Sequence, residues 1–437
     1  MASLPVLILT TWVSAMEGCG SRTGSGRSHL HASLDCCSVG ISAAVETRMR
    51  HVALIYNATL AYDLKVMSGV AAYLRENPRW NVYLEENSLK DQRLPDLLSW
   101  RGHGIIANFD DPRVAAAVMR SKLPTVGFGS GYGWYSRKSR IPYFATNKEA
   151  AAHLAADHLI ERGFRRFAYC GHPRTQLTGW SEERGQAFAE YVKRRGFTCH
   201  IYRGRYRTGR AWAAIQQSLG EWLASLPKPV GLLAANDHRA RQVLEACRGR
   251  GFRVPEEVAV LGVDNDELLC QLSSPLLTSI EQGAKQIGYE AAALLDRMMA
   301  GVKPPQTRFV IDPVGIVPRR STEILAIQEP YVAKAMAFVR EHASAGIKVR
   351  DVLEAVSLSR AGLETRFKSL LGYSIHTAIR NVQLNRARQV IYETDLPLKE
   401  VAATTGFKTV QHMTAAFAKM FGRPPGEYRR LHRAFRF

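Results

Sequence analysis

The sequence predicts an α/β domain built on parallel sheet, followed by a smaller all-α domain in which one helix-turn-helix design is used twice. Three observations carry this reading. Short apolar runs alternate with longer amphipathic stretches from residue 50 to about 320. The last hundred or so residues contain the same helical pattern twice, offset by 50 positions. The length of 437 residues exceeds what one compact core holds, so two or three domains are expected.

Taken in order, the first 48 residues stand apart. Met1–Ala15 is apolar and a Cys-containing, small-residue segment follows, but the positive n-region of a secretory signal is missing. Residues 18–40 are rich in Gly, Ser and His without periodicity. Residues 1–48 are therefore expected to be a disordered extension, or the product of a mis-assigned start codon ahead of Met49. Strand-like runs then follow at Val52–Tyr56, Val82–Leu84, Gly104–Phe109, Thr125–Phe128, Phe167–Cys170, Gly231–Ala235 and Val258–Val263. Helical patterns lie between them at Leu64–Arg75, Ala150–Arg162, Glu182–Arg195, Trp212–Leu226 and Arg239–Arg248. Runs of this length alternating with helices imply βαβ units and a parallel sheet.

Ligands on such sheets bind beyond the carboxyl ends of the strands. The residues that fall there are Asn57, Asp110 with Asp111, Asn236 with Asp237, and Asp264 with Asn265. Carboxylates accept several hydroxyl bonds, Asn both donates and accepts, and Arg offers a planar donor fork, which suits sugar hydroxyls. Trp134 or Trp180 could cover the apolar face of a pyranose. Each Asp or Asn alone is also an ordinary turn former or helix cap; their sharing of one sheet edge is what points to a ligand. Asp110 and Asp111, as sequence neighbours, cannot flank one scissile bond. The chain has no GxSxG elbow, no P-loop and no HExxH, and no GxGxxG follows the first strand, so neither an enzyme nor a nucleotide cofactor is expected. The Gly-rich stretch Gly127–Gly133 reads as a flexible loop.

In the C-terminal repeat, Ser359, Leu363, Phe367, Leu371 and Gly372 are matched by Thr409, Met413, Phe417, Phe421 and Gly422. Ser or Thr caps a helix start, apolar residues every four positions make one buried face, and Gly ends the helix. A short amphipathic segment precedes each unit, at Val349–Val356 and Leu398–Ala402, which completes two helix-turn-helices. The charge agrees with a polyanionic partner. The whole chain carries +20, and the residues from Tyr331 onward hold 18 Lys/Arg against 8 Asp/Glu. Seven cysteines form no CxxC pair and no zinc spacing, which suits a reducing cytoplasm and makes structural zinc improbable. No run of about 18 apolar residues occurs, so no membrane partner is expected.

Two resemblances follow from specific residues. Ile347-Lys348-Val349, Leu358-Ser359-Arg360, Arg366-Phe367-Lys368, Thr405-Gly406-Phe407 and Phe421-Gly422-Arg423-Pro424-Pro425 resemble the AraC-type DNA-binding domain, with a linking helix over about Ser374–Tyr392. Arg184 with Phe188, Ala235-Asn236-Asp237, Leu261 to Asn265 and Leu277 to Gln282 resemble the periplasmic-binding-protein-like sensors of LacI/GalR regulators. Over nearly all of the chain after Met49, pieces such as Asn108-Phe109-Asp110-Asp111 and Arg319-Arg320-Ser321-Thr322 resemble pentose-responsive regulators that join these two parts.

The resemblance implies a two-lobed sensor over 49–320, a linker over 321–330 and a DNA-binding domain over 331–437. It implies a sugar site of Arg184, Asn236, Asp237 and Asp264, with Asp110 from the other lobe, joined by Asn57 and Asn147. The family's usual Asp-Asn after Ala145-Thr146 is here Asn147-Lys148, which leaves the choice of pentose open. D-xylose is the expected sugar and no cofactor is expected. Bases are expected to meet Ala361, Glu364 and Thr365 in the first recognition helix, and Gln411, His412, Thr414 and Ala415 in the second. Arg366, Lys368, Lys408, Lys419 and Arg429 are expected on phosphates. The expected function is a sugar-induced transcription activator, working in the cytoplasm as a homodimer with RNA polymerase as its downstream partner. The alternatives are another sugar, repression, or an exported sugar carrier, for which a basic helix-turn-helix pair would have no use.

Overall fold

The computed structural model describes residues 49–85, 100–129, 140–175, 177–204, 212–323 and 329–433. The expected extension over 1–48, the candidate Trp134 and part of the Gly-rich stretch lie outside them. Among the described residues two six-stranded sheets form, each the floor of one lobe.

The first lobe takes β1 (Arg50–Ile55), α1 (Ala61–Glu76), β2 (Trp80–Glu85), β3 (Gly104–Asn108), α2 (Pro112–Ser121), β4 (Thr125–Gly129) and β5 (Tyr143–Thr146). The chain then crosses to the second lobe. That lobe holds α3 (Lys148–Glu161), β6 (Arg166–Cys170), α4 (Gly179–Arg194), β7 (Thr198–Tyr202) and α5 (Trp212–Ser225). It continues with β8 (Val230–Ala234), α6 (Asp237–Gly249), β9 (Val258–Val263), α7 (Glu267–Leu272) and β10 (Thr278–Glu281). The chain returns for α8 (Ala284–Met299) and β11 (Arg308–Ile311), and crosses a third time to β12 (Gly315–Val317). The strand orders are β11-β5-β4-β3-β1-β2 and β12-β10-β9-β8-β6-β7, with every pairing parallel except β10 with β12. Three crossings side by side make a hinge, and they bring residues 146–148, 281–284 and 311–315 to one place.

The strands read as apolar runs because helices cover both faces of each sheet. β3, β4, β8 and β9 are buried at every position. Gly127–Gly129, read as the start of a loop, instead completes β4. The reason is steric: a Cβ on Gly127 would meet the Phe109 ring at 2.7 Å, so this strand needs glycine to pass. In the first lobe α1 and α8 touch backbone to backbone. A Cβ on Gly69 would lie 1.9 Å from the Lys285 carbonyl oxygen, and one on Gly288 would lie 1.8 Å from that of Val66.

The C-terminal domain consists of α9 (Pro330–His342), α10 (Val349–Val356), α11 (Arg360–Leu371), α12 (Ile375–Glu393), α13 (Leu398–Thr404), α14 (Val410–Phe421) and α15 (Pro425–Arg433). The repeat is built as its spacing predicts. Ser359 and Thr409 accept the amides of Gly362 and His412, both at 3.2 Å, and Gly372 and Gly422 end the helices at φ of 80° and 74°. Leu363, Phe367, Met413 and Phe417 are fully buried. The linking helix α12 serves two cores: Ile375, Ala378 and Ile379 pack into the first unit, and Leu384, Ala387 and Ile391 into the second. Midway along it Gln383 donates to the carbonyls of Ala343 (2.9 Å) and Gly406 (3.1 Å), which ties the two units together. Before this domain begins, Ser321 and Thr322 of the expected linker are buried in the second lobe, with Ser321 accepting the Thr278 amide at 2.9 Å.

Candidate ligand pocket and nucleic-acid interface

At the hinge the lobes enclose a cleft of about 630 Å³, open mouth included. The first lobe supplies Tyr62 and Asp63 from the opening turn of α1, Asp110 after β3, and Gly129 at the end of β4. The second supplies Trp180, Glu183 and Arg184 from α4, Asn236 after β8 and Asp264 after β9. The crossings add Thr146, Lys148 and Gln282. The mixture of aromatic and polar walls fits a small polar molecule.

The polar groups are held in place before any ligand arrives. Arg184 donates to the Ala235 carbonyl and, at 2.9 Å, to Gln282 Oε1, while its guanidinium lies 5.1 Å from the Trp180 ring centre. Gln282 Nε2 in turn donates to Asp264. Lys65 crosses from α1 to the second lobe, where its ammonium bonds the carbonyls of Asp264 (2.6 Å) and Asn265 (2.9 Å) and pairs with Glu281. Asp63, wholly buried, accepts the Asn57 amide at 2.7 Å and the Asn108 side chain at 2.8 Å. Gly129, at φ of 138°, leaves room for Asp110: a Cβ there would sit 2.8 Å from its Oδ1.

Carboxylates crowded in a cleft with little water are costly to ionise. Burial pushes Asp264 up to about 6, opposed by the charge of Arg184 and the bond from Gln282. Burial likewise raises Asp63 to about 7 against the bonds from Asn57 and Asn108.

The structure brings Asp110, Arg184, Asn236 and Asp264 of the expected sugar set to the cleft. Asn57, Asn147 and Asp237 do not line it. Asn57 caps its own turn by accepting from Thr59. Asn147 caps α3 and donates to Asp312 at 2.8 Å. Asp237 is buried behind the wall, accepting from Ser279 Oγ at 2.6 Å and the Asp266 amide at 2.7 Å. Lys148 lines the cleft and donates to Glu183 at 2.6 Å. Tyr62, Asp63, Glu183 and Gln282 line it too, though sequence reasoning did not single them out as site residues.

On the DNA-binding domain, Ala361, Thr365, Lys368, Lys408, Gln411, His412, Ala415 and Lys419 are exposed, and Glu364, Arg366, Thr414 and Arg429 are half-buried. Arg366 already has a partner: its guanidinium meets Glu329 at 3.2 Å at the start of α9. Arg380 of the linking helix donates to His412 at 3.1 Å.

Known proteins share both parts. Family profiles described as XylR N-terminal domain, periplasmic binding protein-like domain and helix-turn-helix domain match residues 51–149, 156–322 and 352–431. The xylose operon regulatory protein of Escherichia coli K12 is 36% identical over 88% of this chain and 97% of its own length. The chain belongs to the xylose operon regulatory protein family. The Haemophilus influenzae member is 35% identical over 86% of this chain and 97% of its own. The solved structure of the xylose-binding transcription activator xylR superposes with a TM-score of 0.58 at 36% identity, covering 88% of this chain and 99% of that one. Membership in this family makes the chain a DNA-binding transcription regulator and not an enzyme.

Proposed function

We propose that this protein is a pentose-induced activator, with D-xylose as its sugar. The observation that carries the reading is the cleft itself, where Asp110 of one lobe faces Arg184, Asn236 and Asp264 of the other across three hinge crossings. In this reading Asp110 and Asp264 accept hydroxyls, Arg184 donates, Asn236 uses the amide nitrogen its capping role leaves available, and Trp180 covers the apolar sugar face. Asn57, Asn147 and Asp237 support that wall from behind or beside it. Sugar bound between the lobes favours the closed arrangement, which shifts the placement of the DNA-binding domains.

The names of relatives, a xylose operon regulator and a xylose-binding activator, support the sugar and the direction of control. The homodimer and the contact with RNA polymerase are part of the same proposal, as is a cytoplasmic location, where DNA is reached. Leu268 and Leu272, 68% and 66% exposed on α7, are apolar surface that a second copy would cover. One feature favours a second pentose: Lys148, paired with Glu183, stands where the family's usual Asp-Asn pair has its Asn. Calorimetry with D-xylose, L-arabinose and D-ribose tests the reading. Binding of D-xylose strongest of the three is expected, and failure of all three at millimolar concentration sinks it.

A further inference from the structure

Helix α3 touches both functional ends of the protein. Its first turn belongs to the cleft, where Lys148 bonds Glu183 and Asn147 joins the returning crossing through Asp312. Its 14 residues extend about 21 Å. Its last residue, Glu161, lies against the DNA-binding domain. Arg340 of α9 donates to the Glu161 carbonyl at 3.3 Å, and Asn381 of α12 donates to its carboxylate at 3.5 Å. Glu161 is also the carboxylate that Arg162, Arg340 and Arg388 face together.

The neighbouring groups make this a seat rather than a passing contact. Arg162 donates to the Thr322 carbonyl at 2.9 Å and the His158 carbonyl at 3.0 Å, and His158 meets the Thr322 hydroxyl at 2.9 Å. Tyr428 donates to the Val314 carbonyl at 2.7 Å beside the third crossing. Arg388 packs so close to Gly315 that a Cβ there would lie 2.7 Å from its guanidinium.

We infer that α3 couples the cleft to the DNA-binding domain and that Glu161 is the positioning residue at its far end. The choice of contact matters. Asn381 sits on the linking helix, whose two halves carry the cores of both helix-turn-helix units. A shift of α3 therefore moves both recognition helices as a pair. Glu161 supplies a carboxylate that all three guanidinium groups share, with Glu323 also facing Arg162 and Arg340; without Glu161 their mutual repulsion loosens the seat.

The inference rests on the proposed sugar-sensing role, and the test separates the two. D-xylose binding to the full-length protein is measured by calorimetry without DNA. Affinity for a duplex, selected from a random pool by the xylose-loaded protein, is measured with and without D-xylose. The ratio of the two DNA affinities is the coupling, ordinarily about 5- to 150-fold. Glu161→Ala is expected to bring the ratio near one while leaving D-xylose affinity without DNA, and DNA affinity without D-xylose, within about two-fold. Asn381→Ala removes the same bond from the other side, leaves the carboxylate among its cations, and should lower the ratio less. A merely structural role would move the separate affinities or the folding of Glu161→Ala, and would leave the ratio in Asn381→Ala intact. That pattern, or wild-type coupling in both variants, overturns the inference. Wild-type protein that binds D-xylose without changing its DNA affinity overturns it as well. Failure of the wild-type protein to bind any pentose overturns the sugar-sensing role and this inference with it.

Discussion

Asp264 combines an uncommon backbone with an uncommon charge. It holds φ of 103°, a conformation non-glycine residues rarely adopt, and burial raises its carboxyl from 3.8 to about 6. A raised carboxyl costs the empty protein stability as pH climbs between those two values, because the folded state then holds a proton the unfolded chain releases. Sugar hydroxyls donate to the ionised form, so binding lowers the value again and releases protons. D-xylose affinity should therefore fall as pH drops through 6. Between pH 7.5 and 5.5 the ionised fraction of a group at about 6 changes roughly four-fold, and calorimetry should show a loss approaching, and from this group not exceeding, that size. Asp264→Asn should bind more weakly at pH 7.5 and lose most of this dependence; an unchanged slope would remove Asp264 from the site. The sequence exposed this residue because it follows an apolar strand run. It left Tyr62, Asp63 and Gln282 inconspicuous, since they begin a helix and lie in a crossing, and only the hinge brings them to the strand ends. Asn236 shows why single residues misled: it is a helix cap and a cleft residue at once.

Among the elements, α1 and α8 depend most on what is absent from their contact. Gly69 and Gly288 let the two backbones meet, and the atoms a Cβ would strike are carbonyl oxygens, which cannot swing aside. Alanine in a helix normally gains about 0.5–1 kcal/mol over glycine. Overpacking of this kind costs about 1–3 kcal/mol, so the clash outweighs the propensity. Gly69→Ala should lower the urea midpoint of the first lobe's unfolding, and a rise in that midpoint would mean the helices separate at no cost. Elements of this sort set the limit of sequence reading. Strands buried on both faces, such as β8 and β9, are apolar throughout and were legible. β7 was not, because it lies at a sheet edge with exposed and half-buried residues alternating irregularly. β11 was hidden for another reason: it pairs with β5 from 165 residues later, with Arg308 opposite Tyr143, and no local pattern announces such a partner. The helical repeat was fully legible, because caps, spacing and terminal glycines are all local.

For the molecule as a whole, DNA affinity combines a charge term that ignores sequence with a smaller set of groups that read it. Of the net charge of +20, about half lies in the C-terminal quarter, so salt should weaken DNA binding steeply. Arg366 was expected to grip phosphate, but its pairing with Glu329 means that its loss would also loosen the start of α9. Lys408 and Lys419 are exposed around the second recognition helix and make cleaner probes. If each neutralises one phosphate, Lys408→Ala and Lys419→Ala should weaken binding to cognate and random duplexes alike. Each should also reduce the slope of log affinity against log salt by about 0.9. Gln411, exposed in the first turn of α14, should behave in the opposite way: Gln411→Ala leaves the salt slope unchanged and costs about 1–3 kcal/mol on the cognate duplex alone. Fluorescence anisotropy across a salt series reads both quantities. Equal losses on the two duplexes for Gln411→Ala would move that residue from base to backbone. Sequence reading would then rest on the first recognition helix, where the exposed Ala361 and Thr365 flank Glu364.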